Sequence, residues 1–167
     1  MEVGEFVGAE SGLAGGGFTP WHADQHYWPL ASAKSVTAWI PLQATPLAMG
    51  PLQFACGSQR CAFGRDLAIS DDSERLIASS LRDLAKDETP FDLGEVSFHA
   101  GWTFHRAGPN LTGQMRGVMT IIYMDAAMRL AAPQNPSQEG DTRAWCPGVA
   151  VGEVIDSRLN PRLWSGA

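Results

Sequence analysis

The chain has 167 residues, enough for one domain with a buried core, and its 44% hydrophobic and 18% charged residues mark it as globular rather than disordered. A formal charge of −6, with no offsetting lysine or arginine cluster, argues against binding to a nucleic-acid backbone. No apolar run approaches the roughly 20 residues of a membrane-spanning helix, and the opening residues carry neither the basic nor the apolar stretch of a secretory leader.

Residues 1–20 are glycine-rich and poorly patterned, and read as a frayed lead-in or a remnant strand. An aromatic segment follows from Trp21 to Leu30, broken at Pro29. The stretch SVTAWIPLQ, from Ser35, has the β-branched and aromatic residues of a strand that weakens at Pro41. TPLAMG is a connector, and GPLQFACGS a further short strand closed by Gly57. Over residues 72–86 the pattern turns helical: Leu76, Ile77, Leu81 and Leu84 recur at helical spacing, and Ser70 or Asp71 is placed to cap the start. A short strand after Gly94 ends near His99, and another carries His105 into a Gly-Pro-Asn turn. The run MRGVMTIIYMD is the clearest strand in the chain, about eight residues rich in Val, Thr, Ile and Tyr. Beyond Asp125 the sequence predicts an irregular C-terminal wrap with one helical turn near residues 141–145. Many short strands, frequent turns and one inserted helix predict a mainly β, jelly-roll or barrel architecture.

His22 and Asp24 stand two residues apart, so an extended backbone would project both to one side. His105 and, eleven residues later, Arg116 complete a set in which two imidazoles and one carboxylate leave other metal positions open, as in non-haem Fe(II) oxygenases. Arg116 shares strand parity with Val118, Thr120 and Ile122, so an apolar face begins with a guanidinium. Burying that group without a partner is costly, whereas a bidentate contact to a carboxylate suits its fork. His99 competes with His105 as third ligand, although the spacing to Arg116 favours His105. By the same parity His26 faces the site, or else it is a surface group. Trp21, Tyr27, Trp28 and Trp102 either wall an apolar pocket or pack as core. Asn110 and Thr112 read as a turn-stabilising pair. Cys56, Cys61 and Cys146 are odd in number and lack metal-type spacing, which reads as unpaired thiols in a reducing, cytoplasmic setting.

The segments GGGFTPWHADQHYWPL, SVTAWIPLQATPLAMGPLQFACGSQR, GEVSFHAGWTFHRAGPNLTGQMRGVMTIIYMD and LNPRLW resemble the phytanoyl-CoA dioxygenase family, from about Gly15 to about Trp164. The resemblance implies a double-stranded β-helix and an Fe(II)/2-oxoglutarate-dependent dioxygenase. It implies iron bound by His22, Asp24 and His105, and 2-oxoglutarate bound by Arg116 beside Trp39 and Thr37. The implied reaction uses O2, with ascorbate as a possible reductant. It couples oxidative decarboxylation of 2-oxoglutarate to succinate with hydroxylation of a small organic substrate. Relatives that halogenate replace the carboxylate with a small residue, so Asp24 favours hydroxylation or a related oxidation over halogenation. No nucleic acid, membrane or protein partner is expected. Only 21 residues precede His22, where family members carry a substantial segment. Residues 1–167 therefore read as a single, N-terminally incomplete oxygenase domain, with a catalytically incomplete fragment or binding module of the same fold as the alternative.

Overall fold

The computed structural model describes residues 18–164, so most of the glycine-rich opening lies outside the described residues. Among the described residues, seven strands form two antiparallel sheets. The first contains β1 (Thr19–His22), β6 (His105–Ala107), β3 (Leu52–Ala55) and β4 (Lys86–Asp87), in that order. The second contains β5 (Ser97–Ala100), β2 (Ser35–Pro41) and β7 (Val118–Met124). Among the described residues β1 is an edge strand, a position that tolerates Pro20. Pro41 closes β2 as its sequence predicts. The facing sheets build the core of a double-stranded β-helix. Trp39 from β2 packs with Leu52 from β3, Ala107 from β6 and Phe91, and Val118 from β7 lies against them.

Helix α1 (Asp71–Ser80) covers the outer face of the first sheet, burying Ile77 and Leu81 against Trp21, Ala55 and Phe104. Ser70 caps it through a reciprocal capping box with Ser73. Its side chain Glu74 ties the helix to the sheet by accepting from the Trp21 backbone N–H and from Arg106. The helix stops well short of residue 86. Leu84 still packs against the same cluster, but from a turn whose Leu81 and Leu84 carbonyls accept from the Lys86 ammonium, and Lys86–Asp87 then pair with β3. The C-terminal wrap has more structure than its composition predicts. A ten-residue helix α2 (Pro136–Trp145) begins with an Asn135 cap, and Met128, Leu130, Cys146 and Ile155 form a small core of their own. Among the described residues no helix is long and apolar enough to cross a membrane.

Candidate metal centre between the sheets

His22 and His105 are cross-strand partners in the β1–β6 pair, which brings two imidazoles separated by 83 residues of chain to ring centroids 4.3 Å apart. After His22 the backbone stays extended through Ala23 and then enters a 3₁₀ turn at Asp24–Tyr27. Asp24 thus keeps the side of His22, as the two-residue spacing predicts. Its Oδ1 lies 3.6 Å from His22 Nε2 and 3.4 Å from His105 Nε2. The 3₁₀ turn ends the parity argument for His26, whose Nδ1 meets the Arg65 carbonyl at 2.9 Å, away from this cluster. Ordered packing fixes the turn. Gln25 N–H donates to Gly101 O at 2.9 Å, and a Cβ on Gly101 would stand 2.4 Å from Ser35 Oγ and 2.7 Å from Gln25 Oε1.

The donor set fits a divalent metal ion. His22 Nδ1 is 2.8 Å from Pro20 O, and His105 Nδ1 is 3.0 Å from Thr103 O. Each Nδ1 must carry a proton to make that bond, so in the neutral ring the Nε2 lone pair faces the cluster and is available to a metal. One atom from each of His22, Asp24 and His105 lies within 4.8 Å of the others. Ligands about 2.1 Å from a shared ion in adjacent positions stand about 3 Å apart, so small shifts suffice. Burial opposes ionisation of Asp24, but in the metal-free site the attraction of a protonated His105 and hydrogen bonds from protonated His105 and His22 and from His99 outweigh it and hold the carboxyl well below its usual range. His99, the rival ligand, sits beside the cluster: its Nε2 meets the other Asp24 oxygen, Oδ2, at 3.2 Å.

The cluster opens into a cavity of about 250 Å³ between the sheets. Thr37 and Trp39 line it from β2 and Thr120 and Ile122 from β7, so both strands turn the predicted face inward. Arg116, just ahead of β7 on the same parity, lines it too. Its guanidinium donates to the Met49 carbonyl at 3.2 Å and to the Gly50 carbonyl. Gly50 is required there: its φ is +70°, and a Cβ would stand 2.2 Å from Gly108 O. The sequence offered no signal for these two carbonyls, which belong to a loop read only as a connector. The aromatic cluster divides: Tyr27 and Trp28 line the cavity, whereas Trp21 is core under α1 and Trp102 packs beside it against Arg65. Asn110 Oδ1 accepts from Thr112 N–H and Oγ1, the turn its sequence predicts.

A sequence profile of the phytanoyl-CoA dioxygenase (PhyH) family matches residues 9–118, well over half of the chain. The chain belongs to that family. Solved structures agree in fold. The α-ketoglutarate-dependent epimerase SnoN of nogalamycin biosynthesis, solved with Fe3+, α-ketoglutarate and nogalamycin RO, is 21% identical at a TM-score of 0.70, over 86% of this chain and 56% of that one. The carbocyclase SnoK from the same biosynthesis is 24% identical at 0.65, over 85% and 55%. EctD from S. alaskensis, solved with 2-oxoglutarate and 5-hydroxyectoine, is 19% identical at 0.55, over 68% and 40%. The chain spans about half the length of the first two of these relatives. No curated protein sequence matches it significantly. Proteins of this fold thus run several reactions, and each reaction named is that relative's own.

Proposed function

We propose that residues 1–167 form a single Fe(II)/2-oxoglutarate-dependent oxygenase domain that hydroxylates a small organic molecule and converts 2-oxoglutarate to succinate. One observation carries the reading: two imidazole Nε2 atoms and one carboxylate oxygen converge on a cavity that Arg116 also lines. His22, Asp24 and His105 hold the iron, which when bound supplies the site where 2-oxoglutarate and O2 react. Arg116, oriented by the Met49 and Gly50 carbonyls, takes the distal carboxylate of 2-oxoglutarate. Trp39 and Thr37 form the adjoining wall, where Trp39, Leu52, Ala107 and Ile122 supply apolar surface. Asp24 keeps a carboxylate where halogenating relatives need a vacant position, which supports hydroxylation or a related oxidation over halogenation. The cavity is smaller than the roughly 300–1,000 Å³ of drug-sized sites, which suits a small substrate. Cys56, Cys61 and Cys146 are all free thiols, in keeping with a cytoplasmic setting.

Turnover of 2-oxoglutarate to succinate, dependent on Fe(II) and supported by ascorbate, tests the reading. Arg116→Met should weaken 2-oxoglutarate by about 2–4 kcal/mol, or about 30- to 1,000-fold, while Fe(II) affinity survives. Arg116→Lys keeps the charge without the fork and should fall between. Pyruvate, which lacks the distal carboxylate, should bind wild type and Arg116→Met alike. Equal 2-oxoglutarate affinity in wild type and Arg116→Met would remove Arg116 from the site. The second reading is a catalytically incomplete fragment or binding module of the same fold. Binding of iron and 2-oxoglutarate with no succinate formed would decide for it.

A further inference from the structure

We propose that His99 is a positioning residue for the metal centre, holding Asp24 with Thr37 so that a single carboxylate oxygen faces the metal. The inference rests on the ligand set proposed above. Asp24 begins a 3₁₀ turn beyond the end of β1, so no strand ladder fixes its side chain. Its two oxygens have divided surroundings. Oδ1 faces His22 and His105, whereas Oδ2 accepts from Thr37 Oγ1 at 2.9 Å and meets His99 Nε2 at 3.2 Å. Thr37 and His99 are cross-strand partners in β2 and β5, so both donors come from the sheet opposite the one that carries the imidazole ligands.

His99 is 5% exposed and packed on Phe54 at a centroid distance of 5.2 Å and on His105 at 4.4 Å. Its Nδ1 is buried without a hydrogen-bond partner. A neutral imidazole with its proton on Nε2 accounts for both facts: Nε2–H donates to Asp24, and Nδ1 is an unprotonated, unmet acceptor, the less costly atom to leave alone. The arrangement has a consequence for coordination. With three protein ligands each giving one atom, a six-coordinate ion would keep three positions for a chelating 2-oxo acid and O2. A carboxylate that swung round to give both oxygens would take one of those three. Thr37 and His99 occupy Oδ2 and prevent that swing.

Co(II) titration of the purified chain, followed by its visible ligand-field absorption, tests this without turnover. His99→Phe fills the space and keeps the packing on Phe54 but removes the donor, and Thr37→Val removes the hydroxyl at constant shape. Each should weaken Co(II) by about 10- to 100-fold and alter the spectrum, the usual effect of losing a hydrogen bond to a metal ligand. His99→Gln, which returns an N–H at similar reach, should restore most of both. Unchanged affinity and spectrum in His99→Phe, or in Thr37→Val if His99→Phe fails to fold, overturns the proposal while leaving the metal centre standing. Complete loss in both folded His99 variants, matching His22→Ala, makes His99 a ligand and overturns it as well. If wild type itself binds no Co(II), the ligand assignment falls first.

Discussion

Asp24 shows how a single side chain is tuned by its neighbours. Burial works against its charge, but the imidazoles of His105, His22 and His99 more than compensate, so the carboxyl stays ionised well into acid. The sign of the pH dependence follows. A carboxyl whose folded pKa lies below its unfolded value of about 3.9 stabilises the fold above that value, and the contribution disappears as pH falls through the folded one. Asp24→Asn should therefore cost the metal-free protein about 1–3 kcal/mol at pH 5. Urea unfolding across pH should show this difference vanishing well below pH 3.9. At this scale the sequence was most readable where spacing and backbone agreed. His22, Asp24 and His105 meet because the chain is extended through Ala23 and β1 pairs with β6. The same parity failed for His26, because it assumed extension past the residue where the 3₁₀ turn starts.

At the scale of elements, β2 and β7 were legible because their β-branched residues alternate toward one cavity, and α1 because its cap and apolar spacing coincide. The end of α1 was not legible, since Leu84 packs on the same cluster after the chain has left the helix. Helix α2 was underestimated because it buries no residue and carries Gly140 and Thr142, which dilute any periodicity. Its start was written in the Asn135-Pro136 pair, a cap followed by a proline at the first helical position. Asp141 on this helix is half-buried, and burial pushes its carboxyl up to about 6. A raised folded pKa reverses the sign found for Asp24. No penalty exists where the carboxyl is neutral in both states, and the cost accrues as pH rises from about 4 to about 6. Solvent access reduces the nominal cost to about 1 kcal/mol. Asp141→Asn should accordingly stabilise the protein by about 1 kcal/mol above pH 6 and change nothing below about pH 4, as read by thermal unfolding in matched buffers.

Across the whole molecule, the site is a seam between two sheets. One sheet supplies His22 and His105, with Asp24 on the turn that follows β1. The other supplies Thr37, His99 and, just before β7, Arg116. A metal ion held at that seam should stabilise the fold as any ligand of the native state does. At about 100 times its Kd, Fe(II) or Co(II) should add about 2.7 kcal/mol and raise Tm by about 5–10 °C, with no shift in His105→Ala. The sheet pairing itself could not be read from the sequence, because it joins strands far apart in the chain through register that no local pattern encodes. The decisive measurement is the visible metal-to-ligand absorption that develops when a 2-oxo acid chelates Fe(II), recorded without oxygen on wild type and on His105→Ala. The assembled site predicts the band in wild type on addition of iron and 2-oxoglutarate, and none in a folded His105→Ala protein. A folded wild type without the band, or an equal band in His105→Ala, would contradict the metal centre described above.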